Sequence, residues 1–541
     1  MKRQAKIASV MALVLLLWIA TLSIRPLYEP DEGRYAEVPR EMYVSGDWVT
    51  PRLNGVKFFD KPPLQYWATA SAYSLFGPSE WTARIWSSLA GLAGVLASWW
   101  AATALYGRHI GSAAAWVLIG APLWILGSNL TTTDIGVGAL LGSAVLVFAV
   151  AFQKSERRLY PVIWLLVGLA FLAKGLIAVV LPAGTLLAYA VLTRQYAMFL
   201  RTEFWRWSPL AVCIALPWII AVSSRNPEFL NYFFIHEHFA RFSSVVHERN
   251  KPVWFFLAVG AAGLLPFAAL IGKAVLGPIK TGRNSVTFDA GLFLSLWVVI
   301  VIAFFSISKS KLPLYILPAF PPAAVLLART ASMARARVVA ASYLGMPLLG
   351  TAIGLLLWHP TLSEKMLRLQ VSQPEWLHVW GLATVVMLAI GGAGAMTAAM
   401  CGKRLVSIAV ASLATLGGIQ GGLMASRAFD SLSIKPIGLE VRELASPGTT
   451  LFNVGQIDRG LAFYARVEPT IVGARSELDL GFSVEPSKWI GTESEFVQRW
   501  GTPGHKLAVM RTDTYERLQP LLGVGTAQRM RSGSNVLLER K

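Results

Sequence analysis

A mainly α-helical chain that crosses a membrane many times and ends in a small α/β domain is predicted by three observations. The 541 residues are 55% hydrophobic with a mean hydropathy of +0.52. The apolar residues gather into stretches near the length needed to cross a bilayer, about 20 residues. The last such stretch ends at Met424, after which short strand-like and helix-like patterns alternate to the end of the chain. The expected layout is therefore a transmembrane unit over 1–424 and an α/β domain over 425–541, and a soluble enzyme is excluded.

The first expected span, 7–24, follows Lys2, Arg3 and Lys6. Its apolar core is long and no small-residue cleavage site follows, so it reads as an uncleaved span rather than a signal peptide. The loop 25–83 carries helical patterns over 35–44 and 64–75, suited to an interface. Further spans are expected over 85–105, 110–126 and 135–152. Residues 160–192 are too many for one span and are interrupted by Lys174-Gly175, which predicts two short spans. The remaining spans are 209–222, 253–274, 291–307, 312–327, 338–358, 379–400 and 405–424, thirteen in all. With the N-terminus inside, the segments after even-numbered spans carry Arg108, Arg157, Arg201, Lys280, Arg335 and Lys403, while the acidic and mixed-charge loops fall on the other face. The positive-inside rule is obeyed throughout. In the tail, strands are expected over 450–454, 469–472, 506–511 and 535–539, and helices over 493–500 and 513–522.

The net charge of +19 is read as orientation signal and attraction to lipid headgroups. No basic stripe with interleaved aromatics suggests nucleic acid. Cys213 and Cys401 lie in apolar surroundings, so no disulfide framework is expected.

In a chain only 15% charged, charge is densest just after the first span. Residues 29–37 read Glu-Pro-Asp-Glu-Gly-Arg-Tyr-Ala-Glu, and Asp60-Lys61-Pro62-Pro63 follows. Such acids cannot lie in hydrocarbon, where each costs roughly 2.5–3.5 kcal/mol, so they need the interface or a polar cavity. Three further loops bring polar groups to the same face: the one ending in Asp134, the segment 229–251 with His236-Glu237-His238 and Arg241, and 306–315 with Lys309, Lys311 and Tyr315. Acids beside Lys and Arg suit an anionic substrate and a transferred group bearing hydroxyls or an amine. Lys61, Arg241, Lys309 and Lys311 are candidate phosphate contacts. Plainer roles are open to each group. Asp31 and Glu32 could pair with Arg34 or Arg40, Asp134 could cap its helix, and Lys174 could snorkel at a span end. His236-Glu237-His238 could be interfacial surface, although two His and a carboxylate can also hold a divalent ion.

Taken together, residues 29–37, 59–63, 174–175, 233–242 and 309–318 resemble, in order and spacing, the aminoarabinose lipid A transferases, C-type membrane glycosyltransferases akin to protein O-mannosyltransferases. The resemblance covers nearly the whole chain. It implies thirteen helices and a periplasmic domain in the bacterial inner membrane. It also implies transfer of aminoarabinose from undecaprenyl phosphate to a lipid A phosphate, with polymyxin resistance as the outcome. Asp31 and Asp134 match essential acids, with Glu32 beside them as a further catalytic candidate. Lys61 and Arg241 match groups on the carrier phosphate. Arg34, Tyr35, Lys174, Lys309, Lys311 and Tyr315 complete the expected substrate-binding set. His236 matches a metal-ligand position, and Asp60 stands where its partner is commonly Glu, which implies a zinc-like divalent ion. A monomer is expected, with the lipid-linked sugar, lipid A and bilayer lipids as partners. Two other readings are a transferase for a different sugar or acceptor and a flippase for lipid-linked sugars. The flippase is disfavoured because no paired repeat appears.

Overall fold

The computed structural model of the chain describes residues 2–197, 201–240, 251–282, 287–359, 371 and 373–541, and the side chains of all of these except 2–10, 238–240 and 430. The chain divides into two compact units. The first is Met1–Leu22, Trp86–Trp358 and His378–Ala425; the second is Ser23–Ile85, His359–Leu377 and Ser426–Lys541. This differs from the expected division at 424/425, because the loop after the first span belongs with the tail.

The first unit is helical. Among the described residues, eight helices are long and apolar enough to cross a membrane, or nine if the pair Arg108–Ile119 and Pro122–Asn129, bent by 63°, counts as one span. This supports a multi-pass membrane protein, while the expected thirteen spans are not reached by that measure. The helices Tyr160–Lys174 and Ile177–Thr193 are separate, broken at Lys174-Gly175 as the sequence predicts. The single span expected over 253–274 is instead broken into Phe255–Gly263, Ala268–Leu270 and Ile271–Gly282. Pro266 lies in the break and has no N–H for a continuing helix.

Close helix packing depends on small residues here. A Cβ on Gly138 would lie 2.8 Å from Leu317 Cβ, and one on Gly142 would lie 2.6 Å from Pro321 Cγ. The helix Thr133–Lys154 can therefore approach Pro313–Ala319 and Phe320–Met333 only along this Gly-xxx-Gly edge. Polar groups join other helices. Thr21 Oγ1 lies 3.1 Å from Asn129 Oδ1 and 2.7 Å from Gln420 Oε1, and Gln420 Nε2 donates to Asn129 Oδ1 at 3.3 Å.

In the second unit, the helix Asp31–Ser45 starts with two acids, which suit the positive end of the helix dipole. It stops at Gly46, whose φ of 73° lets its N–H return to Met42 O. Strands β1 (Arg52–Leu53) and β2 (Val56–Lys57) form a hairpin. Its turn residues Asn54 and Gly55 have φ of 54° and 75°, the left-handed pair that a tight two-residue hairpin requires. The helix Leu64–Phe76 follows. The tail builds a six-stranded sheet from β3 (Thr450–Val454), β4 (Pro469–Val472), β5 (Trp489–Ile490), β6 (Lys506–Arg511), β7 (Thr526–Ser532) and β8 (Asn535–Arg540), in the order β5-β4-β3-β6-β8-β7. Strands β5, β4, β3 and β6 run parallel, and β8 and β7 are antiparallel additions. One core joins Leu27, Ala36, Tyr73 and Ala83 of the first loop to Ile434, Val441, Leu461 and Leu507 of the tail. A second joins Val38, Met42 and Tyr66 to Ile471, Leu478 and Phe482.

Candidate active site

In the second unit, the segment 29–37 is held by charge and by close backbone approach. Glu32 is buried between two guanidinium groups. Arg25 Nη1 donates to its Oε2 at 2.6 Å and Arg84 Nε to its Oε1 at 2.8 Å, while the Tyr28 N–H adds a bond at 3.1 Å. Burial alone would raise its pKa, but the Arg25 and Arg84 charges outweigh it and hold the carboxyl near 2. Glu32 was expected either to act catalytically or to pair with Arg34 or Arg40. The ion pairs it makes here are with Arg25 and Arg84, one at each oxygen, and they fix the start of the helix.

Glu29 reaches into the tail. Its Oε1 accepts from the Gly460 N–H at 2.7 Å and its Oε2 from the Arg459 N–H at 3.2 Å. Burial first, then the neighbouring Asp458 charge, push its pKa up to about 8 despite those two bonds. Gly33 explains itself here, because a Cβ would lie 2.6 Å from Gly460 N and 2.5 Å from Glu29 Oε1.

Asp31 is half-buried. Its side chain is 42% exposed, and its Oδ1 lies 3.5 Å from Arg34 Nη1, too long for a strong hydrogen bond. Arg34 itself is buried. Its Nη2 donates to Glu477 Oε1 at 3.0 Å, and its guanidinium carbon lies 5.8 Å from the Tyr35 ring centroid and 6.0 Å from that of Phe58. It was expected to bind substrate; here its Nη2 is held by the tail. Glu477 also accepts from Arg459, at 2.8 Å for Nη2, and from Ser476 Oγ at 2.6 Å. Burial opposes its ionisation, but bonds to Arg459 and the Arg34 charge hold its pKa well below the carboxylate range. Tyr35 is buried and stacks on Tyr66 with centroids 6.3 Å apart, so it forms core rather than an open subsite. Lys61 is half-buried and its Nζ donates to Asp60 O at 2.7 Å, while Asp60 is buried.

In the first unit, Asp134 lies in the first turn of its helix. The N-cap is Thr132, with no side-chain cap bond. Asp134 is ion-paired with Lys174, both mostly buried. Lys174 therefore does not snorkel, and its Nζ also lies 4.1 Å from the Tyr315 ring centroid. Gly175, with φ 77°, ends the helix at Lys174 and aims it here. Lys311 is buried with its Nζ donating to Ser308 O at 2.5 Å. Lys309 is exposed and makes no ion pair among the described residues. His236 is stacked on Tyr232 at 4.9 Å, with Nδ1 3.8 Å from Glu237 Oε1. Arg241 and the side chain of His238 lie outside the described residues.

Among the described residues, no three His, Cys, Asp or Glu side chains stand close enough to hold a metal ion. His236 and Asp60 belong to different units, and no chemistry is routed through a metal here. The groups that spacing could not reveal are Arg25, Arg84, Arg459 and Glu477. The last is 443 residues from its partner Arg34.

Two families match parts of the chain: dolichyl-phosphate-mannose-protein mannosyltransferase over residues 60–223, and the aminoarabinose transferase C-terminal domain over residues 437–539. The undecaprenyl phosphate-alpha-4-amino-4-deoxy-L-arabinose arabinosyl transferase of Aeromonas salmonicida is 35% identical over 59% of this chain. That match spans 58% of the relative's own length. The crystal structure of ArnT from Cupriavidus metallidurans bound to undecaprenyl phosphate is similar over 99% of this chain and 98% of that one, at 31% identity and a TM-score of 0.90. The Archaeoglobus fulgidus oligosaccharyltransferase in its apo form covers 95% of this chain and 71% of that one, at 11% identity and a TM-score of 0.53, a likeness of fold alone.

Proposed function

Because the chain belongs to the aminoarabinose transferase family, we propose that it moves 4-amino-4-deoxy-L-arabinose from undecaprenyl phosphate to a lipid A phosphate, at the periplasmic face of a bacterial inner membrane. The observation that supports this most is the likeness to ArnT, 31% identical with matching folds over 99% of this chain.

The donor is a sugar on a lipid phosphate, so its departure develops negative charge. Lys61, with Arg241 by resemblance, stabilises that charge in a water-poor site. A lipid A phosphate is already ionised near neutral pH, so the acceptor needs little proton removal. The carboxylate of Asp31 then anchors the sugar's ammonium or stabilises positive charge at the anomeric carbon. Asp134, held by Lys174, supplies the second acid, and Tyr315 faces that lysine. Asp31→Asn keeps the shape and removes the charge. Lipid A from cells producing the wild-type chain gains the mass of one aminopentose, and these cells resist polymyxin. Cells producing the Asp31→Asn variant show neither. Unmodified lipid A from wild-type cells would refute the reaction, and full modification by Asp31→Asn would remove Asp31 from it. The match over residues 60–223 to mannosyltransferases acting on protein favours one second reading, a protein acceptor. A glycosylated membrane protein with unchanged lipid A would identify it.

A further inference from the structure

We propose that Glu477 of the tail is a positioning residue for Asp31, acting through Arg34: it holds the guanidinium back so that the Asp31 carboxylate stays available. The inference deepens the reading above and rests on it for the catalytic consequence alone.

The geometry is a relay of alternating charge within one unit. Arg459 and Ser476 fix the Glu477 carboxylate from one side, and Glu477 Oε1 takes Arg34 Nη2 at 3.0 Å from the other. The Arg34 side chain is 7% exposed and that of Glu477 9%, so neither is free to wander into solvent. What remains of Arg34 toward Asp31 is one nitrogen at 3.5 Å. An unrestrained arginine beside a carboxylate closes into a two-pronged pair with bonds of about 2.7–2.9 Å, occupying both oxygens. The Glu477 bond to Nη2 draws the guanidinium toward the tail, and Nη1 comes no closer to Asp31 than 3.5 Å. The backbone repeats the same anchoring. Glu29 accepts from the Gly460 and Arg459 N–H groups, and Gly33 leaves no room for a Cβ against Gly460. The tail therefore sets both the path of the segment and the charge balance at Asp31.

In Glu477→Gln, Arg34 loses its charged anchor, and the nearest carboxylate left to it is Asp31. The test uses the full-length protein in nanodiscs. Modification of Asp31 by a water-soluble carbodiimide with an amine is followed by peptide mass spectrometry, beside transfer kinetics. The expected result is Asp31 modification slowed about tenfold in Glu477→Gln, as the two-pronged pair shields it. In the double variant Arg34→Gln/Glu477→Gln, modification returns to the wild-type rate, because no guanidinium is left to close. Kinetically, kcat falls about tenfold in Glu477→Gln with KM for the lipid-linked donor unchanged, since binding of the carrier is not touched. Arg459→Gln loosens Glu477 but leaves the Arg34 pair, so Asp31 is modified as in wild type. Should Glu477→Gln fail to fold, Glu477→Asp, one methylene shorter, takes its place with the same direction of change. Equal Asp31 modification in wild type and Glu477→Gln, or equal protection in Arg459→Gln, overturns the proposal. Failure of the wild-type protein to transfer aminoarabinose counts against the reaction alone, because the labelling comparison needs no turnover.

Discussion

Glu32 carries structural weight because two buried guanidinium groups face it and share its two oxygens. Removing its charge leaves both uncompensated. Glu32→Gln is therefore expected to destabilise the protein by about 3–5 kcal/mol, the usual cost of breaking a buried pair from one side. A lowered melting temperature in detergent near neutral pH would register it. The carboxyls of the segment also respond to pH in opposite senses. Glu32, held near 2, contributes stability above its ordinary pKa of 4.5 and loses it as the pH falls toward 2. Glu29, pushed to about 8, favours the folded state when protonated. Its contribution is complete below pH 4.5 and is lost as the pH rises through 8. Between about pH 4.5 and about pH 8, wild type should lose stability more steeply with rising pH than Glu29→Gln, which stays neutral. Parallel melting curves against pH for the two proteins would show that Glu29 is not the group responsible. The sequence pointed to residues 29–37 through their charge density. It could not name the partners, because Arg84 is 52 residues from Glu32 and Glu477 is 443 from Arg34, and no spacing rule reaches across such gaps.

Helices show where apolar patterning carries structure and where it does not. The helix Ala290–Ile307 and the pair broken at Lys174-Gly175 were legible because hydropathy and a polar interruption were enough. The breaks at Gly120-Ala121 and Leu264–Phe267 were missed, although Pro122 and Pro266 mark both. Window hydropathy does not register a proline. In the tail, β3, β4 and β6 were read from their apolar residues, whereas β7 was missed because its side chains are mostly solvent-facing at the sheet edge. The Gly138-xxx-Gly142 edge lay in plain view and has a direct consequence. Gly142→Leu drives a side chain into Pro321 and should cost about 1–3 kcal/mol, as overpacking does. Unchanged thermal stability of that variant would mean that the two helices do not depend on the close approach.

For the whole molecule, the unexpected feature is that the second unit is assembled from segments far apart in the chain. Its cores mix Leu27, Ala36 and Tyr66 with Val441, Leu461 and Phe482. A sequence reading that cuts at the end of the last span cannot see this, because an interfacial loop and a domain that completes it carry the same amphipathic signature. The tail 426–541 produced alone would expose the apolar positions that the first loop covers. It is expected to aggregate or bind a hydrophobic dye, whereas a fusion that supplies residues 23–85 should be better behaved in gel filtration. A compact, dye-silent tail would show that it folds without the loop. There is also a matter of timing during synthesis. Residues 23–85 leave the ribosome early, but their partners follow more than three hundred residues later. At about 5–20 residues per second, the loop waits tens of seconds for them. A ribosome that stalls in between releases a product with its binding face bare, ready for proteases or chaperones to recognise. The acid-rich segment can take its Arg25 and Arg84 bonds early, but its anchorage to Arg459, Gly460 and Glu477 waits until those residues have been made.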